Sequence, residues 1–260
     1  MEEDYSPNYM TYNGSLLFHY TKFESALKII TTKRLLFGDF SNMNDISESC
    51  REVYNELAED ELKKYQSLSF TIDKRDKRAF EIDSLWGYYA EKGNGVCLAF
   101  DKKKIIKEFN NINSFHRRGK IHYLRYFTNA IFLNAKTKDE VIKEIEAKYE
   151  DIFFTKSLDW TKENEYRLLA KNDNSSPLCL NIEDALVAVI ICLPLGNGIK
   201  DSYEYNLLKN VTGLPLLHYH TSLGNKNLTD IASGEPLWPL YGVDYRLVNE
   251  TIPMGAAIKR

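Results

Sequence analysis

Cysteine is scarce in this 260-residue chain: Cys50, Cys97, Cys179 and Cys192 lie far apart, with no C-x-x-C pair among them. Three of the four sit in apolar runs, where a reduced buried thiol is the usual finding, and no zinc site is readable from the spacing. Long hydrophobic runs are missing too, none approaching the length of a membrane span. The opening Met-Glu-Glu-Asp-Tyr-Ser has neither the basic nor the apolar region of a signal peptide. The expectation is a cytoplasmic protein with no membrane partner. Repeats and low-complexity segments are absent. There is no excess of positive charge: the net value of -3 argues against general nucleic-acid binding, although a local basic patch survives such a total. Nor is there a dinucleotide-binding glycine loop, since Gly93-Asn94-Gly95 is too short and lacks the flanking pattern.

What the chain has is an ordinary globular balance, 43% hydrophobic and 27% charged, with an unusual 13% of aromatic residues including 17 tyrosines. That aromatic content serves either stacking surfaces or an aromatic core. The length fits one large domain or a domain with a small appendage. We read residues 1–14 as a loosely held arm, 15–220 as a single domain, and 221–260 as a C-terminal wrap around Pro236, Trp238 and Pro239.

Within the domain the periodicities alternate irregularly. Ser15–Thr21 reads as a strand, Phe23–Lys33 as a helix and Leu35–Phe37 as extended chain. Gly38–Asp45 is rich in turn formers. Ile46–Tyr65 has the spacing of an amphipathic helix. Ser67–Thr71 alternates with period two, and Leu85–Ala90 reads as a helix stopped by glycines before the strand Val96–Phe100. A basic helix at Asp101–Phe109, a strand at Gly119–Tyr126 and a helix over 138–157 follow. Strands at Leu178–Leu180, Ala185–Leu193 and Leu214–His220 complete the set, with Pro194-Leu-Gly196-Asn-Gly198 punctuating the exit from the second. Several of these strands suit antiparallel pairing. The predicted class is α+β, with a mixed, mostly antiparallel central sheet and helices packed beside it.

The candidate site centres on Trp160-Thr-Lys-Glu163-Asn-Glu165-Tyr166-Arg167, where a charged, helix-like segment enters an apolar strand. On extended chain, residues i and i+2 face the same way. Glu163 and Glu165 are therefore expected in one cavity, with Tyr166 and Arg167 alternating behind them. Two such carboxylates need a cation, a sugar or a shared proton to offset their repulsion. The plainer alternative is a solvated strand start whose Glu and Arg pair along the sheet. Ser67, Ser69 and Thr71 line up their hydroxyls on one face, able to donate to a carboxylate or a ligand. His19 ends the first strand, where it either meets a ligand or serves as a structural hydrogen-bonding group. Trp86, Tyr88 and Tyr89 either cover a planar ring or pack in the core.

Taken together, Leu17–Thr21, Arg34–Phe37, Asn42–Asp45, Ser67–Thr71, Leu85–Ala90 with Gly95–Asp101, and Trp160–Arg167 resemble a bacterial family catalogued as domain of unknown function number 2971. The resemblance spans roughly residues 16–220. A more distant one carries chemistry: a strand His, then a hydroxyl-rich strand, then a Glu-x-Glu strand is similar to mono-ADP-ribosyltransferases. That resemblance implies a split antiparallel sheet gripping NAD as a substrate. It makes His19 the first-strand contact to the adenosine ribose, Ser69 the serine of the hydroxyl-rich strand, Glu165 the catalytic carboxylate and Glu163 the group that prepares the acceptor. The strand departs from the usual Ser-Thr-Ser in reading Ser-x-Ser-x-Thr. The opening His19-Tyr20-Thr21 looks like the DNA-modifying branch, which implies a nucleic-acid acceptor beside a protein one, and a role in toxicity or phage defence.

In the chemistry this resemblance implies, cleaving the nicotinamide bond develops positive charge on the ribose, which a fixed Glu165 would stabilise, with Ser67, Ser69 or Thr71 expected to hold its rotamer and Tyr89 to stack on the leaving ring. This chemistry calls for no metal. Two other classes fit the same residues. One is a non-catalytic binding module with the aromatic cluster as its platform. The other is a glycosidase or metal-dependent nuclease using Glu163 and Glu165 as a pair.

Overall fold

The structure, a computed structural model, describes residues 15–74, 77–125, 130–192, 202–222 and 225–232. The expected N-terminal arm, the Pro194–Gly198 punctuation and the wrap around Trp238 lie outside these residues. In chain order the elements are β1 (Leu16–Thr21), α1 (Phe23–Thr32), β2 (Arg34–Leu36), β3 (Gly38–Asp39), α2 (Ile46–Ser49), β4 (Glu52–Tyr54), α3 (Glu56–Leu62) and β5 (Tyr65–Thr71). Next come α4 (Asp83–Tyr89), β6 (Val96–Asp101), α5 (Lys102–Phe109), β7 (His116–Lys120), β8 (His122–Leu124), β9 (Ala130–Phe132), α6 (Lys138–Ala147), α7 (Tyr149–Phe153) and β10 (Thr155–Ser157). The chain continues through β11 (Glu165–Lys171), β12 (Cys179–Asn181), β13 (Leu186–Ile191), α8 (Tyr203–Thr212), β14 (Leu216–Ser222) and β15 (Asn225–Asp230).

Nine strands form the central sheet, in the order β15-β14-β13-β6-β1-β5-β11-β7 with β3 also on β5. Only β13 and β14 pair in parallel, with α8 lying between them in the chain; every other pairing in the sheet is antiparallel. The fold is thus α+β with a mixed, mostly antiparallel central sheet, as the periodicities predict. No helix among the described residues is long and apolar enough to cross a membrane.

One face of the sheet carries a continuous core. Leu17, Leu98, Phe100, Leu68, Phe70, Tyr166, Leu168 and Val189 pack there against Ala26 and Ile30 of α1, Ile105 and Phe109 of α5, and Leu208 of α8. Period-two alternation sends the intervening residues to the opposite face, where burial divides into two separate clusters. Phe18, Tyr20, Cys97, Ala99 and Ile190 pack under Leu85 and Trp86 of α4. Tyr65 and Leu169 pack under Ala58 of α3, Val141 and Ile145 of α6, and Phe153 of α7.

The gap between these two clusters coincides with a break in the sheet. β1 pairs with β6 along its whole length, from Leu16↔Asp101 to Thr21↔Val96. With β5 it pairs only at Phe18↔Thr71. Beyond that point the two strands part, and β3 takes over the edge of β5 at Gly38↔Ser67.

Several local expectations are corrected. Ile46–Tyr65 is not one helix: the chain leaves helical geometry at Cys50 (φ -117°, ψ 54°) and forms β4, which pairs in parallel with β9, before Asn55 caps α3. Burial of Glu48, which an exposed amphipathic helix face would not allow, accompanies the break. The segment 138–157 likewise resolves into α6, α7 and the strand β10, and Gly119–Tyr126 straddles two strands, β7 and β8. Helix α8 had no counterpart in the sequence reading. In the expected wrap, residues 225–230 instead form β15, hydrogen-bonded to β14 at one edge of the sheet.

Candidate functional site

Where β1 and β5 part, a cavity of about 330 Å³ opens, lined by His19, Ser67, Ser69, Thr71, Tyr89, Lys156, Glu163 and Glu165 together with Asn42, Met43 and Asn44. It lies at the lower end of the range for small-ligand pockets. His19, Ser69, Tyr89, Lys156, Glu163 and Glu165 supply its chemistry, each from a different element of the fold.

Glu165 opens β11 and reaches the cavity face by alternation. Its Oε1 accepts hydrogen bonds from Ser69 Oγ at 2.6 Å and from Arg167 Nε at 2.6 Å, and its Oε2 accepts from Arg167 Nη2 at 3.0 Å. Lys156 Nζ stands 2.9 Å from Oε2. Glu163 arrives differently. It ends a 3₁₀ segment, Leu158–Glu163, and Asn164 then turns through the left-handed region (φ 43°, ψ 51°), a conformation asparagine tolerates better than most residues. The two carboxylates do converge, but by this turn and not by extended i, i+2 geometry. Glu163 accepts from the Tyr89 hydroxyl on Oε1 and from Lys156 Nζ at 2.8 Å on Oε2.

Arg167 is also corrected: two residues beyond Glu165, it shares its face and is fully buried, while Tyr166 turns to the continuous core. Arg167 Nη1 reaches Glu48 Oε1 at 2.5 Å and donates to the Phe153 carbonyl at 2.6 Å. Lys156 stands 3.2 Å from the other oxygen of Glu48. Three carboxylates thus share Lys156 and Arg167, so the repulsion in the Glu pair is offset by cations from within the chain.

These contacts separate the two acids. Burial pushes the Glu165 carboxyl up, but the Arg167 guanidinium and Lys156 ammonium outweigh it and hold it at about 2. For Glu163 burial dominates, reinforced by the charge of Glu165, and Lys156 does not overcome it, so its pKa lies above the ordinary carboxylate value. The cavity therefore presents one firmly ionised carboxylate beside one that takes up a proton more readily, the pattern that separates acid and base roles. Burial, and next the charge of Glu163, raise the Tyr89 phenol, which keeps it a donor.

His19 crosses the break itself. Its Nδ1 lies 3.0 Å from the Ser69 carbonyl, an acceptor that β1 would satisfy if the strands stayed paired. That carbonyl accepts only from an N–H, so in the neutral ring Nε2 is left as an acceptor. Burial lowers the His19 pKa, against a smaller opposing pull from the Ser69 carbonyl, which favours the neutral form.

The remaining sequence candidates fare unequally. Ser67 and Thr71 join Ser69 on the cavity wall, as the alternation predicts, and the buried Ser67 Oγ has no hydrogen-bond partner. Thr21 is not among the lining residues. Trp86 is corrected from a ring-covering role to the core: it is buried, donates Nε1 to the Phe80 carbonyl at 2.8 Å and stacks on Tyr219. Tyr88 is exposed. Sequence reasoning missed Lys156 and Glu48 altogether, and gave Asn42–Asp45 no place in the site, reading it as a turn and a family motif. Their signal, a lone lysine in a helix-like stretch and a glutamate among many, is not distinctive.

The fold and the cleft define an α+β protein whose parted antiparallel sheet holds a buried pair of carboxylates neutralised from within. Residues 85–168 of the chain match the family described as Protein of unknown function (DUF2971). This segment is narrower than the resemblance read from the motifs, and it carries Tyr89, Lys156, Glu163, Glu165 and Arg167. No curated protein matches the chain.

Proposed function

We propose that the cleft binds NAD and breaks its nicotinamide–ribose bond, passing ADP-ribose to a nucleic-acid or protein acceptor. The observation that carries this reading is the Ser69 hydroxyl bonded to Glu165 Oε1 at 2.6 Å inside a cavity that His19 also lines. A carboxylate held in one rotamer and kept ionised suits a transition state with positive charge on the ribose, because preorganised charge costs no reorganisation during the reaction. As the C–N bond breaks, its electron pair leaves on nicotinamide. The acceptor hydroxyl, amine or ring nitrogen forms the new bond at the same carbon and gives up its proton. Glu163, with its raised pKa, is the base for that proton. The neutral His19 offers Nε2 to a ribose hydroxyl, and Tyr89 contributes a planar ring at the cavity wall. A cavity of about 330 Å³ suits the nicotinamide-ribose part of the dinucleotide rather than the whole.

Incubating the protein with NAD and a panel of DNA, RNA and lysate proteins, and following nicotinamide by mass spectrometry, tests this. Release by the wild type and its loss in Glu165→Gln support the reading; release undiminished by that substitution removes Glu165 from the chemistry.

A second reading, a non-catalytic binding module, draws on one observation: both oxygens of Glu165 are already bonded and the residue is only 4% exposed. NAD binding without turnover would favour it. The metal-dependent alternative gains less from the geometry, because the Lys156 ammonium bridges Glu163 and Glu165 where a shared cation would have to stand.

A further inference from the structure

Charge is unevenly spread along this chain. From Lys102 to Arg125 there are eight lysines and arginines against one acidic residue, Glu108, in a protein whose total is -3. The fold gathers part of that excess at one place. β7 is the outermost strand at its end of the sheet, and Arg118 and Lys120 stand opposite Leu168 and Tyr166 in its register with β11. They therefore share the face of those two residues, the face on which α5 packs. From the first position of α5, Lys102 brings its Nζ to 4.3 Å from the centre of the Tyr166 ring. Arg118 is braced by a 2.6 Å bond from Nη1 to Asn110 Oδ1, yet both Arg118 and Lys120 remain exposed.

Among the described residues no carboxylate forms an ion pair with Lys102, Arg118 or Lys120. Burial, followed by the charges of Lys120 and Arg118, lowers the pKa of Lys102. Charged side chains on an edge strand also discourage unwanted strand pairing. That role does not require a lysine from a separate helix over Tyr166, the residue paired with Lys120.

We propose that this edge binds the phosphate backbone of a nucleic acid, with Lys102, Arg118 and Lys120 as the phosphate contacts. Arg118 and Lys120 are two residues apart on one strand, about 6.8 Å. They present a row of charge, which suits a linear polyanion better than a single small anion. A guanidinium among them fits phosphate oxygens in pairs. The inference rests on charge placement alone and does not need the cleft to turn over NAD.

The test is a titration of the full chain into a fluorescently labelled oligonucleotide, single-stranded and duplex, without NAD, over a range of salt concentrations. Wild-type protein is expected to bind with an affinity that falls steeply with salt. The variant Lys102→Gln/Arg118→Gln/Lys120→Gln should lose at least about tenfold in affinity at low salt, and its log–log salt slope should flatten by about 2, three charges at roughly 0.7 each. Lys136→Gln/Lys138→Gln/Lys143→Gln removes equal charge from the α6 region and should bind as the wild type does. Lys102→Arg/Lys120→Arg keeps the charge and should also bind normally, which separates lost contacts from misfolding. No binding by the wild type, equal losses in both Gln triples, or preference for phosphatidylserine vesicles over the oligonucleotides would each overturn the proposal.

Discussion

Arg167 donates through Nη1 to Glu48 Oε1 at 2.5 Å, joining β11 to the short helix α2 across 119 residues of sequence. The contact draws the segment before α2 against the cleft, which is how Asn42, Met43 and Asn44 come to line it. It also makes the cleft part of the folding core, since Arg167 and Glu48 are both fully buried.

Arg167→Met keeps much of the side-chain volume but leaves Glu48 and Glu165 short of a counter-charge. Removing one partner of a buried ion pair typically costs about 3–5 kcal/mol. A loss of that size is expected in the unfolding free energy from urea denaturation, and the double variant Arg167→Met/Glu48→Gln should recover part of it. A loss below about 1 kcal/mol, the scale of an exposed pair, would show that the network is more hydrated than its geometry implies.

Acid should dissolve the same network in a defined direction. Burial opposes ionisation of Glu165, but Arg167 and Lys156 hold its pKa at about 2, below the ordinary 4.5. A folded-state value below the unfolded one means that the contribution is complete above the ordinary value and fades as pH falls from about 5 towards 2. Glu163, shifted upwards, contributes with the opposite sign. The stability gap between wild type and Glu165→Gln, read as Tm, should therefore hold constant from neutral pH to about 5 and narrow from there to pH 3; a gap that stays constant down to pH 3 would contradict the assignment.

Ser69→Ala and Glu163→Gln should separate two steps of the proposed reaction. Loss of the hydroxyl that fixes Glu165 should lower turnover by roughly 10- to 100-fold with little change in KM, because a misplaced carboxylate fails mainly in the transition state. Glu163→Gln should spare nicotinamide release to water and lose transfer to the acceptor. Mass spectrometry of both products from one reaction reads the two outcomes together.

Gly95 is a purely structural test. A Cβ there would lie 2.4 Å from the Thr21 carbonyl oxygen and 2.7 Å from Ala90 Cα, so backbone would have to move. Overpacking of this kind costs about 1–3 kcal/mol, and Gly95→Ala should lower the Tm accordingly without altering NAD binding by the folded fraction. An unchanged Tm would mean that the junction between α4 and β6 yields more easily than its packing indicates.

Much of the scaffold was legible because alternation is a local property. Ser67, Ser69 and Thr71 share a face wherever β5 is placed, and Leu68 and Phe70 must then face the core. The same logic separated Glu165 from Tyr166. It failed at Glu163, which reaches the cleft through the left-handed turn at Asn164, and at Ile46–Tyr65, whose periodicity suited a helix that burial of Glu48 and pairing of β4 with β9 break apart. Trp86 and Tyr89 could not be told apart by spacing. Three residues along α4 carry one to the core and the other to the Glu163 carboxylate.

By itself, then, the sequence determined seven of the nine strands of the central sheet and most of their faces, the mixed and mostly antiparallel class, and the presence of two acids at the start of β11, since each depends on side-chain period and local turn chemistry. The tertiary structure alone decided where β1 leaves β5, that Lys156 and Glu48 join the acids, and that basic residues of α5 and β7 meet at one edge. Those are long-range pairings, set by which burial the whole chain can satisfy at once, and no local pattern encodes them.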